Sequence, residues 1–178
     1  MKLGAQYGYW TGEPRQDVIS VGVEAENLGY DSLWTGESYS SDAFTPLCWV
    51  GAHTNKIKLA TGIAQLGART PATLAMQAMT LDALSGGRFC LGIGVSGPQV
   101  IEGWHGQPFG KPLSRTKETI DIIRKILRRE DPVTADGPNL PLPYPKDAPN
   151  SWGLGKPLKL INRPLRPDIP IFLGAEGP

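Results

Sequence analysis

Cysteine and histidine are scarce in this chain, with two of each among 178 residues. Cys48 and Cys90 lie far apart, in apolar surroundings and outside any Cys-x-x-Cys or other metal spacing. Buried free thiols in a reducing cytoplasm are therefore the expectation. The histidines form no HxH, HxxxH or HExxH pattern, which speaks against a metal site. No GxSxG elbow is present, which speaks against a Ser-His-Asp hydrolase. An excess of either charge is missing too: 18 Lys and Arg face 17 Asp and Glu, a net charge of +1. Nucleic acid and anionic membrane surfaces both select clustered positive charge, so neither is an expected partner. No apolar run approaches the length that spans a membrane. The opening Met1-Lys2-Leu3-Gly4 lacks the charged and apolar regions of a signal peptide, so none is expected.

What is present reads as a soluble globular protein, 40% apolar and 20% charged. Short apolar strands alternate with amphipathic helices. Strands are predicted at Leu3 to Tyr7, Ser32 to Thr35, Lys58 to Gly62, Phe89 to Gly94 and Ile169 to Leu173. A first helix is predicted from Gln16 to Leu28, with Val18, Val21, Ala25 and Leu28 on one face and Gly29 ending it. Thr45-Pro46 and Thr70-Pro71 each pair an N-cap with a proline at the first helical position. The second of these opens a helix to about Leu84. Ser114 to Arg129 makes another, with Ile120, Ile123, Ile126 and Leu127 as its apolar face. The basic run Arg124, Lys125, Arg128 and Arg129 reads as a solvated helix end.

Strict alternation implies a parallel sheet with right-handed crossovers. An open doubly wound sheet and a (β/α)8 (TIM) barrel both satisfy it. Turns after helices are brief and loops after strands are rich in glycine and polar residues, which is the barrel pattern. Residues 131–168 stand apart as a proline-rich insertion. Ten of the 17 prolines fall between Asp131 and Pro170, a density that excludes regular helix and central strand. The expectation is a long excursion over one face of the barrel rather than a linker, because a fresh strand follows at once. A complete barrel needs about 250 residues. The expected architecture is thus an α/β barrel truncated after its fifth strand, one luciferase-type domain over 1–178 once the resemblance below is added.

In a barrel the loops after the strands carry the chemistry. Gly8-Tyr9-Trp10-Thr11-Gly12 offers aromatics to stack on a flat ligand, or Trp10 as a plug in the barrel mouth. Glu37 follows the second strand directly and is a candidate general acid or ligand contact, with an ion pair to Arg69 as the structural alternative. Gly62 ends the third strand, where glycine marks a bulge or close backbone approach to a ligand. Gly92-Ile93-Gly94-Val95-Ser96-Gly97 satisfies GxGxxG, yet Pro98 and Gly103-Trp104-His105-Gly106 read as irregular, and a dinucleotide fingerprint must open a helix. A glycine cradle for a phosphate or planar ring remains open. His53 sits beside a helix end and reads as structural, whereas His105 lies in an active-face loop as a candidate acid, base or substrate contact.

Leu84-Ser85-Gly86-Gly87-Arg88-Phe89-Cys90-Leu91-Gly92-Ile93-Gly94 resembles the signature of the bacterial luciferase-like flavin and deazaflavin enzymes, as does Gly29-Tyr30-Asp31-Ser32-Leu33-Trp34. Thr70-Pro71, Val95-Ser96-Gly97-Pro98-Gln99 and the run from Asp168 to Pro178 resemble the subgroup that uses coenzyme F420. The resemblance runs the whole chain in order. It implies an oxidoreductase passing a hydride between F420 and a small organic substrate, with an FMN-dependent monooxygenase or a non-catalytic half-barrel as alternatives. It implies a non-prolyl cis peptide at Gly62-Ile63 behind the cofactor ring, with Ala64 next to it, Glu37 near the reactive ring, and Val95 and Ser96 flanking it. It further implies that Gly174, Ala175, Glu176 and Gly177 bind the cofactor phosphate through backbone amides at a helix N-terminus. A homodimer is implied for the full-length form. Relatives that oxidise glucose-6-phosphate carry His after the acidic residue and Glu early in the fourth loop. Ser38 and Gly97-Pro98-Gln99 stand there instead, which speaks against that activity.

Overall fold

The computed structural model describes residues 1–175. Strands β1 (Gly4–Gly8), β2 (Ser32–Thr35), β3 (Lys58–Thr61), β4 (Ala64–Gln65), β5 (Phe89–Gly94) and β6 (Ile171–Leu173) form one parallel sheet. Helices α1 (Val18–Asn27), α2 (Thr45–Gly51), α3 (Pro71–Leu84), α4 (Pro98–Gly103) and α5 (Pro112–Arg128) lie between them. Ile93 of β5 pairs with Ala64 of β4 and with Leu173 of β6, so those two occupy opposite edges of β5. β4 therefore shares an edge with β3 and continues it. Ala60 to Ala64 is four steps where Cys90 to Ile93 is three, so the β3–β4 line holds one extra residue at the Gly62-Ile63 break. Counted this way, five strand positions follow one another across the sheet in chain order. A doubly wound sheet reverses its order at a switch point; this one does not, and the barrel reading stands.

The core lies between the sheet and its helices. Leu33, Leu59, Phe89, Leu91 and Ile93 from the strands, and Leu47, Leu74 and Ile123 from the helices, are fully buried. Burial of each such side chain contributes about 1.5–3 kcal/mol. Glycine is required where β3 and β5 meet: a Cβ on Gly92 would sit 1.8 Å from the Thr61 carbonyl oxygen. Thr61 Oγ1 instead accepts from Gly92 N at 2.8 Å and donates to its carbonyl at 2.7 Å. Below the sheet, Arg88 donates to the carbonyls of Ser85, Ile57, Gly51 and Thr54 and to Thr54 Oγ1. It thereby ties the α2–β3 and α3–β5 turns together.

Several local expectations give way to tertiary context. Leu28 caps α1 and is exposed, while Val18, Gly22 and Ala25 are the buried residues. Thr45 lies inside α2, and Asp42 serves its start by accepting from Phe44 N and Thr45 N, both at 2.9 Å. Thr70 does cap α3, accepting from Thr73 N. α5 begins at Pro112, before Ser114, and Ile122 joins its buried face while Ile120 is half-buried. Cys48 is exposed; Cys90 alone is buried.

The basic run is not merely a solvated end. Arg124 donates to Ile169 O at 2.7 Å, Lys125 to Thr134 O at 2.9 Å and Arg129 to Leu160 O at 2.7 Å, so these side chains hold the following segment. That segment, 131–170, forms no helix or strand, only an isolated bridge between Ala135 and Leu142. It runs along α5 and α3, the outer helical layer. Glu118 accepts from Asn139 N and Leu140 N. Arg166 pairs with Asp82 and donates to Phe89 O at 2.8 Å, returning the chain to the foot of β5. A cavity of about 580 Å³ remains under it, against Met76, Met79 and Ile126. No helix of the described residues is long and apolar enough to cross a membrane.

Candidate active site

The loops after β2, β3, β5 and β6 converge. The peptide between Gly62 and Ile63 is cis. The Ile63 side chain packs against two glycines from neighbouring strand ends. A Cβ on Gly94 would come within 2.9 Å of Ile63 Cγ1, and one on Gly174 within 2.8 Å of Ile63 Cγ2. A Cβ on Gly36 would meet the Gly62 carbonyl oxygen at 2.8 Å. Four strand ends thus present backbone rather than side chain around Ile63, and together they form a glycine-lined cradle. Gly174 N donates to Ile93 O at 2.9 Å, which fixes the start of the last loop. Glu176 and Gly177 lie outside the described residues.

Val95 and Ser96 follow β5 directly. Val95 is half-buried and lines a small apolar crevice with Leu66, Ile101 and Phe109. Ser96 holds a left-handed backbone, φ 59°. Its successor Gly97 caps α4, so a helix of six residues does follow the GxGxxG run. The irregular stretch expected there is shorter than the sequence implies. On the concave side, Trp34 and Phe172 meet edge to face at 5.3 Å, and Trp34 Nε1 donates to Ser32 Oγ at 2.8 Å. Trp10 packs on the core and lines a cavity of about 530 Å³ with Arg15, Asp42 and Trp49. Tyr9, nearly half exposed, is the aromatic beside Gly36.

Glu37 is fully engaged. Its side chain is 6% exposed and forms a bidentate ion pair with Arg69. It also accepts from Gln65 N at 2.7 Å and Ala43 N at 3.0 Å. Four donors occupy the carboxylate, so the ion pair set out above as the structural alternative is the one formed. A carboxylate so held fixes the loops after β2 and β3 against each other. Gln65, which no motif singles out, extends the cluster. Its amide nitrogen donates to the carbonyls of Glu37 and Ser38, both at 3.0 Å. With both amide hydrogens so used, Gln65 Oε1 is an acceptor, and it lies 3.0 Å from His105 Nε2. His105 Nε2 therefore carries a hydrogen, and in the neutral ring Nδ1 is the basic nitrogen.

The structure thus brings Glu37 and His105 together through Gln65, and Gly62, Ile63, Gly94 and Gly174 into a neighbouring cradle. His53 stays apart, its Nδ1 2.9 Å from Trp49 O at the end of α2. Burial pushes the Cys90 thiol up, the reverse of what a nucleophilic thiolate requires.

A parallel α/β sheet in barrel order, with its polar and glycine-rich loops gathered at the carboxyl ends of the strands, defines the class as a barrel-type enzyme scaffold. The chain belongs to the luciferase-like monooxygenase family, whose description matches residues 3–178. It is 55% identical, over all 178 of its residues and 51% of the relative, to a Mycobacterium tuberculosis protein named as a coenzyme F420-dependent oxidoreductase. It is similar in fold to the monooxygenase RslO1 of Streptomyces bottropensis, with TM-score 0.80, 22% identity, and coverage of 97% of this chain and 53% of that one. The coenzyme F420-dependent tetrahydromethanopterin reductase of Methanopyrus kandleri gives TM-score 0.78, 23% identity, and coverage of 99% and 50%. The chain spans about half the length of the relatives it matches.

Proposed function

We propose that this chain supplies part of the site of an oxidoreductase that takes coenzyme F420 and passes a hydride between it and a small organic substrate. The observation that carries the reading is the 55% identity, along the whole chain, to the mycobacterial protein named for that cofactor. The geometry fits such a group. Gly36, Gly94 and Gly174 let three strand ends close on the Gly62-Ile63 peptide, so that backbone rather than side chains surrounds it. When bound, the deazaflavin supplies the hydride chemistry.

The chain's own residues set the stage for it. Gly62-Ile63 and Ala64 form one wall, Val95 and Ser96 flank it, and the loop opening at Gly174-Ala175 offers backbone amides to a phosphate. Glu37, locked by Arg69, positions the wall rather than moving protons. His105, with Nε2 committed to Gln65, keeps Nδ1 for the proton that accompanies hydride transfer. The test is a titration of the full-length protein with F420 and with FMN, followed by fluorescence. Binding of F420 at micromolar or lower concentration is expected. FMN binding without F420 binding would overturn the reading in favour of a flavin monooxygenase.

A further inference from the structure

A second recess lies beside the His105 cluster and shares no residue with the cofactor cradle. It measures about 480 Å³ and is lined by Arg69, Thr70, His105, Gln107, Arg115 and Asn139 among others. None of its lining residues is a carboxylate. The two arginines differ in kind. Arg69 is neutralised by Glu37. Arg115 forms no salt bridge with the described residues, and its recorded hydrogen bond is to Pro108 O, 3.1 Å from Nη1. Its Nε is buried without a partner. Its other side faces the apolar crevice of Leu66, Val95, Ile101 and Phe109.

A guanidinium has five N–H donors, and leaving them unpaired against apolar surface is costly. Two carboxylates bonded to residues of this rim are already occupied. Glu37 is held by Arg69, and Glu118 by Ser114, Asn139 and Leu140. Gln107, on the same rim, makes no side-chain hydrogen bond to the described residues and has an amide to donate. A cation without a counter-ion among the described residues, in a recess lined by no acidic residue, is complementary to an anion.

We infer that this recess is a binding site for an anionic group, a carboxylate or a phosphate, held by Arg115 with the Gln107 amide on its rim. It goes beyond the cofactor reading and does not depend on it, since none of its residues lines the cradle at Ile63.

The test is calorimetric titration of the 178-residue chain with inorganic phosphate and with acetate, at ionic strength matched with chloride. Saturable binding is expected, with the tighter ligand telling a phosphate site from a carboxylate site. Arg115→Gln is expected to weaken it about tenfold, and Arg115→Lys to retain most of it. Labelling of Arg115 by phenylglyoxal, read by mass spectrometry, provides a measurement that needs no variant; phosphate or acetate should protect it. Absence of saturable binding by either anion, undiminished binding by Arg115→Gln, or unprotected labelling of Arg115 would each overturn the proposal.

Discussion

Glu37 shows how a residue's surroundings decide between two chemistries that its type allows. A carboxylate following a barrel strand reads as an acid or base until its partners are counted. Here two guanidinium nitrogens and two backbone amides occupy it. Removing one partner of a pair this enclosed leaves the other charge uncompensated, at a cost of about 3 kcal/mol. Glu37→Gln is therefore expected to lower the urea midpoint strongly. The double variant Glu37→Gln with Arg69→Met is expected to recover part of that loss, because neither charge is then stranded. Equilibrium unfolding of the wild type, Glu37→Gln, Arg69→Met and the double variant checks this. A Glu37→Gln variant as stable as the wild type would return the carboxylate to the list of acid–base candidates.

At the level of the element, acidic side chains tie helices to the turns and loops beside them. Glu26, near the end of α1, accepts from the backbone amides of Asn55, Lys56 and Ile57 at the turn into β3. Burial alone pushes its carboxyl up, but those three amide bonds outweigh it and hold it below the usual range. Glu118 of α5 follows the same pattern: burial raises it, and the bonds from Asn139, Ser114 and Leu140 bring it lower. A group whose folded pKa is depressed contributes stability above its unfolded value of about 4.3 and loses it as pH falls through the folded value. Acid unfolding followed by circular dichroism is thus expected to begin below that pH. Glu26→Gln should be less stable than the wild type near neutrality and should lose less stability between neutral and acid pH. Parallel stability curves for the two proteins would contradict the role assigned to Glu26.

For the molecule as a whole, the sheet ends are the weak point. Among the described residues β1 pairs only with β2 and β6 only with β5, so each leaves an unpaired ladder. Phe172 and Leu173 on β6, and Leu3 next to β1, are exposed apolar side chains beside those ladders. Open edges with apolar neighbours recruit further strands. The 178-residue chain is expected to self-associate, seen as a concentration-dependent mass in light scattering after size exclusion. A strict monomer across a broad concentration range would mean that these edges are protected.

The alternation of strand and helix, the glycine turns, the barrel order and the Thr70 cap were all legible in the sequence. Each depends on residues a few positions apart, whose periodicity and backbone preferences survive without tertiary context. Whether Glu37 acts as an acid–base group or as the partner of Arg69 was left open there, and β4, α4 and the hold of Arg124 and Arg129 on the proline-rich segment went unseen. These were decided by contacts distant in the chain: Gln65 meets His105 across 40 residues, and Arg166 meets Asp82 across 84. Arg115 carries no signal in its own neighbourhood at all. Only packing shows that its Nε is buried without a partner among the described residues, because pairing and burial are properties of the fold and not of the residue.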